Sequence, residues 1–224
     1  MNKPTILLIT RCSRVTYLPE IWKSIKKQSK ELNNIASLVW VIAFDTNKLQ
    51  SSKIDRVFMN NVIFNHNDIK AYYMYSSSDN ERYGSNIANV VLHNESIVNE
   101  FNNVTHVYLL DDDNMLHPDF HKFVKLCVTD KEHLCFCAQK RLNKNTNTQD
   151  IVTITDEINK VNALGWVDSA QIIFPFEILM KSGGFSDGYC IDGLTVQKLL
   201  KKGVPISITS ELCAYYNYFT ELLE

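Results

Sequence analysis

The chain has 224 residues, 45% of them hydrophobic and 11% aromatic, with a formal net charge of −2. That much apolar material excludes a disordered chain, and the length fits one domain at roughly 100–200 residues per domain. The near-neutral charge excludes a general nucleic-acid binder held by phosphate neutralisation.

Six cysteines stand at positions 12, 127, 135, 137, 190 and 213, with no CxxC pair. They read as reduced, mostly buried thiols of a cytoplasmic protein, and the alternation of Cys135 and Cys137 puts both on one face of a strand. The opening MNKPTILLIT has a short apolar run followed by Arg11, so it reads as a first core strand and not as a signal peptide or membrane span.

In chain order, Thr5–Thr10 is a β-branched apolar run of the kind found in buried parallel strands. Arg11-Cys12-Ser13-Arg14 follows as a polar exit, and Ile21, Trp22, Ile25 and Leu32 then recur at helical spacing, with Pro19 in the first turn. Lys23, Lys26, Lys27 and Lys30 read as the solvated face of that helix. Ser37–Phe44 is a second apolar strand ending on Asp45. Val57–Phe64 and Ile69–Tyr75 predict two shorter strands. A polar stretch leads to Gly84-Ser85-Asn86, where Ser85 N-caps a helix running through Ile87, Val91, Val98 and Phe101.

The next stretch, Thr105–Asn114, is a buried strand running directly into Asp111-Asp112-Asp113. Three consecutive carboxylates repel and are costly to desolvate, so they make a poor core. Either they form a solvated turn, or a hard divalent cation such as Mg²⁺ or Mn²⁺ gathers them. Pro118 opens another helix, His133–Gln139 returns as a strand, and Arg141–Gln149 reads as an Asn-rich loop. Trp166–Gln171 leads into the strand Ile172–Phe174, then a short helix ended by Gly183-Gly184. Ile191-Asp192 precedes a final helix stopping at Gly203, and Pro205–Ser210 is a last strand before the aromatic tail Tyr215–Phe219. Two patterns are discounted. His117 and His121 lack a third zinc ligand, and the tail is first of all core.

Four ordered features resemble glycosyltransferases of the GT-A fold, particularly the inverting family 2 type. They are Ile9-Thr10-Arg11, the strand ending in Asp45, the Leu109-Leu110-Asp111-Asp112-Asp113-Asn114 run as a DxD motif, and Gly183-Gly184-Phe185 followed by Ile191-Asp192. The resemblance spans residues 5–217. Two departures are visible: Ile191 stands where an acidic residue is common, and the C-terminus carries no histidine suited to an extra metal ligand. The implied fold is α/β, a Rossmann-like, mixed and mainly parallel sheet flanked by helices. It is expected as a single domain over 1–224, with a nucleotide-binding half (1–115) and an acceptor-side half (116–224).

The resemblance further implies a metal-dependent enzyme, with Mn²⁺ or Mg²⁺, moving a sugar from a nucleoside-diphosphate donor (a UDP-sugar favoured) to a glycan or lipid-linked acceptor with inversion. Asp113 would hold the metal directly, and Asp111 would reach the metal or the ribose, with Asp112 orienting nearby. Asp192 matches the position of the base that deprotonates the acceptor hydroxyl, with Asp168 its rival. Asp45 would accept from the uracil N3–H. Thr10, Arg11, Arg82, Gly84, Ser85 and Asn86 would lie along the nucleotide and diphosphate, at the positive end of a helix. Two other readings stay open: a nucleotidyltransferase, for which the Arg11–Arg14 exit lacks the expected glycine, and a binding module that keeps the fold without turnover. The expected location is the cytoplasm, or the cytoplasmic face of a membrane.

Overall fold

The computed structural model describes residues 3–48, 69–77, 85–100, 104–143, 148–155, 158, 167–188, 190–216 and 218. In chain order the elements are β1 (Thr5–Cys12), α1 (Leu18–Ile35), β2 (Ser37–Asp45), β3 (Lys70–Ser76), α2 (Ser85–Leu92), α3 (Glu95–Glu100), β4 (Val104–Leu109) and β5 (Met115–Leu116). There follow α4 (Phe120–Cys127), β6 (Leu134–Asn143), β7 (Thr148–Val152), β8 (Ile172–Pro175), α5 (Phe176–Lys181), α6 (Ile191–Lys201) and β9 (Ile206–Tyr216).

The strands form one sheet in the order β3-β2-β1-β4-β8-β6-β9-β5, with β7 paired to β6. β1 pairs in parallel with β2 and β4, β2 with β3, and β6 with β9. β8 runs antiparallel between β4 and β6, and joins the two parallel groups. This is a Rossmann-like, mixed α/β domain.

The central strands are apolar on both faces because both are covered. Ile6, Leu8, Trp40, Ile42 and Phe44 point into one core with α1 and α4, while Leu7, Ile9, Val39 and Val41 point into the other with α2, α5 and α6. On the first side Trp22 of α1 stacks on Trp40 at 5.8 Å between centroids. On the same side Phe120, Phe123, Val124 and Cys127 give α4 a single buried stripe. Lys23, Lys26, Lys27 and Lys30 lie on the exposed face of α1. Among the described residues no helix is long and apolar enough to cross a membrane.

Several expectations are corrected. The helix expected after Ser85 is two helices, because the Asn94 side chain accepts from the Ile97 N–H (3.2 Å) and starts a new one. The stretch expected as an Asn-rich loop supplies the arms of a hairpin, with Arg141 opposite Asp150 and Asn143 opposite Thr148. β7 is almost wholly exposed, so its composition is that of a loop although its backbone is paired. The last strand runs on through Tyr215 and Tyr216 and pairs with β5 at Met115. The cysteines are not all reduced: Cys137 and Cys213 form a disulfide, while Cys12, Cys127, Cys135 and Cys190 are free. The strand expected at Val57–Phe64 lies outside the described residues.

Candidate active site at the strand carboxyl ends

β1, β2 and β4 are adjacent and parallel, so their carboxyl ends open on the same edge of the sheet, where α/β folds hold ligands. Arg11 is at the end of β1, Asp45 at the end of β2, and Asp111–Asp113 just beyond β4. A cleft of about 170 Å³ at this edge is lined by Arg11, Ser13, Arg14, Asp45, Lys48, Ile87 and the three aspartates. A larger cleft of about 470 Å³, lined by Glu20, Lys27, Gln28, Met115, His121 and Tyr215, lies between α1, α4 and the β5–β9 pair and contains none of these carboxylates.

The three aspartates have different partners. Arg11 grips Asp111 with one edge of its guanidinium, Nε to Oδ1 at 2.7 Å and Nη2 to Oδ2 at 2.6 Å. Asp112 is 2% exposed, and its Oδ2 accepts from the backbone N–H groups of Ser13 and Arg14, both at 2.6 Å. Its Oδ1 accepts from Arg14 Nε at 2.9 Å and also meets Nη2. Asp112 therefore holds the β1 exit loop in place, by satisfying donors that a strand end leaves open. Asp113 Oδ2 lies 2.9 Å from Arg14 Nη2.

Two further carboxylates approach from β8 and α6. Asp168 caps a short 3₁₀ turn over Ser169–Gln171, accepting from the Ala170 N–H at 2.9 Å, while the Gln171 side chain accepts from its backbone. The turn is anchored from below by the Tyr108 hydroxyl, which donates to the Ala170 carbonyl at 2.8 Å. Asp192 sits in the first turn of α6, whose N-cap is Cys190. The Ser169 backbone lowers the pKa of the Asp192 carboxyl against the effect of burial. The Ser169 hydroxyl is buried without a partner among the described residues.

Carboxylates outnumber guanidiniums here, and the protonation equilibria reflect it. Burial, then Asp192 and Asp111, pushes Asp168 up to about 7. Burial and Asp111 push Asp113 up to about 6. Asp192 is raised by burial and by Asp111, with Arg11 pulling the other way. Burial alone would lower the Arg11 guanidinium, but Asp111, Asp192 and Asp168 more than offset it and keep the group charged.

The remaining expected residues are placed as follows. Thr10 is fully buried and its hydroxyl accepts from Trp40 Nε1 at 2.9 Å, so it faces the core and not the cleft. Asp45 is 5% exposed and accepts from the Asn47 N–H at 3.1 Å while lining the cleft. Asn86 donates to the Ser77 carbonyl at 2.8 Å, and its Oδ1 is buried with no partner among the described residues. Arg82 and Gly84 lie outside the described residues, as does the side chain of Ser85. His117 accepts from the Asp119 N–H and His121 contacts the Pro118 carbonyl.

Sequence reasoning missed Asn89. Its amide clasps Phe185, donating to the carbonyl at 2.9 Å and accepting from the N–H at 2.8 Å, and so ties α2 to the Gly183-Gly184-Phe185 turn. Only its place on α2 hinted at this.

The residues present suit a divalent cation of the Mg²⁺ or Mn²⁺ kind. Asp111 and Asp113 offer hard oxygens on the cleft wall, in a cluster with excess negative charge. Among the described residues no three Asp, Glu, His or Cys side chains converge to cage a metal by themselves. Two carboxylates, with the other ligands drawn from phosphates and water, is the arrangement Mg²⁺ favours in nucleotide sites.

No protein-family model matches the chain, and no curated protein does. Among solved structures, the chain is similar to a crystal structure described as a glucose-1-phosphate thymidylyltransferase from Bacillus anthracis, in complex with sucrose. The match has a TM-score of 0.54 at 10% identity and covers 98% of this chain and 92% of that one. At that identity the likeness is one of fold.

Proposed function

We propose that the protein is a metal-dependent glycosyltransferase that moves a sugar from a nucleoside-diphosphate donor, a UDP-sugar by preference, to a hydroxyl of a glycan or lipid-linked acceptor with inversion. The observation that carries this reading is the approach of Asp168 and Asp192, both with raised pKa, to the Arg11–Asp111 pair beside the cleft. A hydroxyl nucleophile needs a base whose pKa is raised from the ordinary carboxylate range toward the working pH, and burial and neighbouring carboxylates shift both Asp168 and Asp192 in that direction.

In this reading Asp45 accepts from the uracil N3–H at the far end of the cleft. Asn86 offers its unpartnered Oδ1 to the donor, and Arg82 and Gly84 belong to the same diphosphate-binding stretch. Asp111 and Asp113 hold Mn²⁺ or Mg²⁺. The cation offsets the charge that builds on the leaving diphosphate. Asp192 takes the acceptor proton, and Asp111 raises its basicity by like-charge proximity, while Asp192 in turn pushes up Asp168. Asp112 orients the site indirectly, by fixing Ser13 and Arg14.

The second reading is nucleotidyl transfer, favoured by the fold likeness over nearly the whole of both chains. Its nucleophile is a sugar phosphate that is already ionised, so the Asp168–Asp192 pair would have no task. It also calls for an exit loop after β1 with backbone N–H groups open to phosphate. Here those of Ser13 and Arg14 are taken by Asp112.

Titration calorimetry with UDP, with and without Mn²⁺, on the wild type and on Asp113→Ala tests the donor site. The expected result is metal-dependent binding that Asp113→Ala removes, and no binding under either condition overturns the proposal. Assays of UDP release from UDP-sugars, and of pyrophosphate release from UTP or dTTP with glucose 1-phosphate, then decide between the readings. Pyrophosphate alone selects the second, and binding without either product selects a binding module.

A further inference from the structure

Resting on the metal-dependent reading, we infer that Arg11 is a built-in counter-ion that occupies the Asp111 cation position in the free protein and moves over to Asp168 and Asp192 when a divalent cation enters. Arg11 is thus a positioning residue for the cation and not a ligand of the donor. Three observations carry this.

The grip is complete: one edge of the guanidinium spans both oxygens of Asp111, at 2.7 and 2.6 Å. Such bidentate pairs are among the stronger charge-assisted contacts, so a cation competes directly with Arg11 for Asp111. Asp111 nonetheless remains reachable, since its side chain is 28% exposed and lines the cleft.

The guanidinium also has somewhere to go. Besides Asp111 it already feels the charges of Asp192 and Asp168, so two further carboxylates are within its electrostatic reach. Leaving Asp111 moves it toward another anion pair and not into water, which keeps its desolvation cost covered.

The second arginine of the loop differs. Arg14 is fixed through its own backbone N–H and its side chain to the buried Asp112, so it stays where it is and keeps its contact with Asp113. One arginine is therefore free to exchange while the other frames the site. A cluster so arranged binds a bare cation weakly and gains affinity when a diphosphate brings further oxygen ligands.

The test is Mn²⁺ binding without nucleotide, read from the electron paramagnetic resonance signal of the free ion, on wild type, Arg11→Gln and Arg11→Lys. Both variants are expected to bind Mn²⁺ on the order of tenfold more tightly than wild type, because each loses the bidentate clamp. Arg11→Lys is decisive, since it keeps the charge and, as the milder change, the fold; a thermal melt checks both. Unchanged or weaker Mn²⁺ binding by Arg11→Lys overturns the inference even if Arg11→Gln binds more tightly, because charge alone then explains the effect. If no variant binds Mn²⁺ even with UDP present, the metal reading falls as well, and the two failures are told apart.

Discussion

Asp168 is held by the chain and pushed on by its neighbours at the same time. Its Oδ1 accepts from the Ala170 N–H, a bond that an asparagine oxygen makes equally well, while burial, Asp192 and Asp111 lift its pKa to about 7. An unfolded aspartate titrates near ~3.9. Between roughly pH 4 and 7 the folded protein therefore keeps a proton that the unfolded chain has lost, and stability falls as pH rises through that window. Asp168→Asn removes this loss and keeps the cap, so it should melt on the order of 10 °C above wild type at pH 8 and level with it near pH 4. Melts at the two pH values check this, and an equal difference at both would refute it. Asp192 has no such capping duty. Asp192→Asn should lower turnover about 10²- to 10⁴-fold while donor affinity holds, as expected for a general base. A larger loss of turnover in Asp168→Asn than in Asp192→Asn would exchange the two roles.

Within the turn that ends α5, two adjacent glycines have positive φ for the same reason but with different surroundings. Gly183 (φ 88°) and Gly184 (φ 77°) close the helix, the Gly183 N–H bonding to the Met180 carbonyl and the Gly184 N–H to that of Leu179. A Cβ added at Gly183 meets nothing within 4 Å, whereas one at Gly184 would lie 2.4 Å from Asn89 Oδ1. Gly183→Ala should therefore cost about 1 kcal/mol, the left-handed strain alone. Gly184→Ala should cost about 2–4 kcal/mol, because it also breaks the Asn89 clasp on Phe185. In an Asn89→Ala background the excess cost of Gly184→Ala should vanish, which urea denaturation of the four proteins measures as a coupling energy. Equal costs in both backgrounds would mean that Asn89 is not the obstacle. The turn itself was legible, since paired glycines after an apolar helical run announce a C-cap. Its partner was not, because nothing local marks Asn89 as facing a residue 96 positions away. The same limit explains Asp112: a DDD run shows three carboxylates, but only the parallel placement of β1 and β4 reveals which one holds the Ser13–Arg14 loop. β1 and β2 were legible because both their faces are buried and their sequence is continuously apolar. The β6–β7 arms were not, because an exposed hairpin and a polar loop share a composition.

At the scale of the whole molecule, the Cys137–Cys213 disulfide ties β6 to β9 across 76 residues of chain. That segment contains β7, the Asp168 turn, β8, α5 and the whole of α6 with Asp192, so both candidate bases lie within one closed loop. No cysteine spacing signalled it, because the pair is made by two neighbouring parallel strands distant in sequence. In the chain-entropy picture, closing a loop of this length removes enough freedom from the unfolded chain to contribute about 4 kcal/mol. Denatured protein, alkylated without reductant, should accept label at Cys12, Cys127, Cys135 and Cys190 only, and at all six after reduction. Reduction should then lower the melting temperature, and Cys137→Ser with Cys213→Ser should melt like the reduced protein. Label at all six positions before reduction would mean that the purified protein carries two thiols there, and the melting temperature would then not respond to reductant. The outcome also bears on the active site. The β6–β9 pair flanks the turn that carries Asp168, so loosening it should change turnover more than donor affinity: Asp45, Asp111 and Asp113 hang from β2 and β4, which the crosslink does not reach.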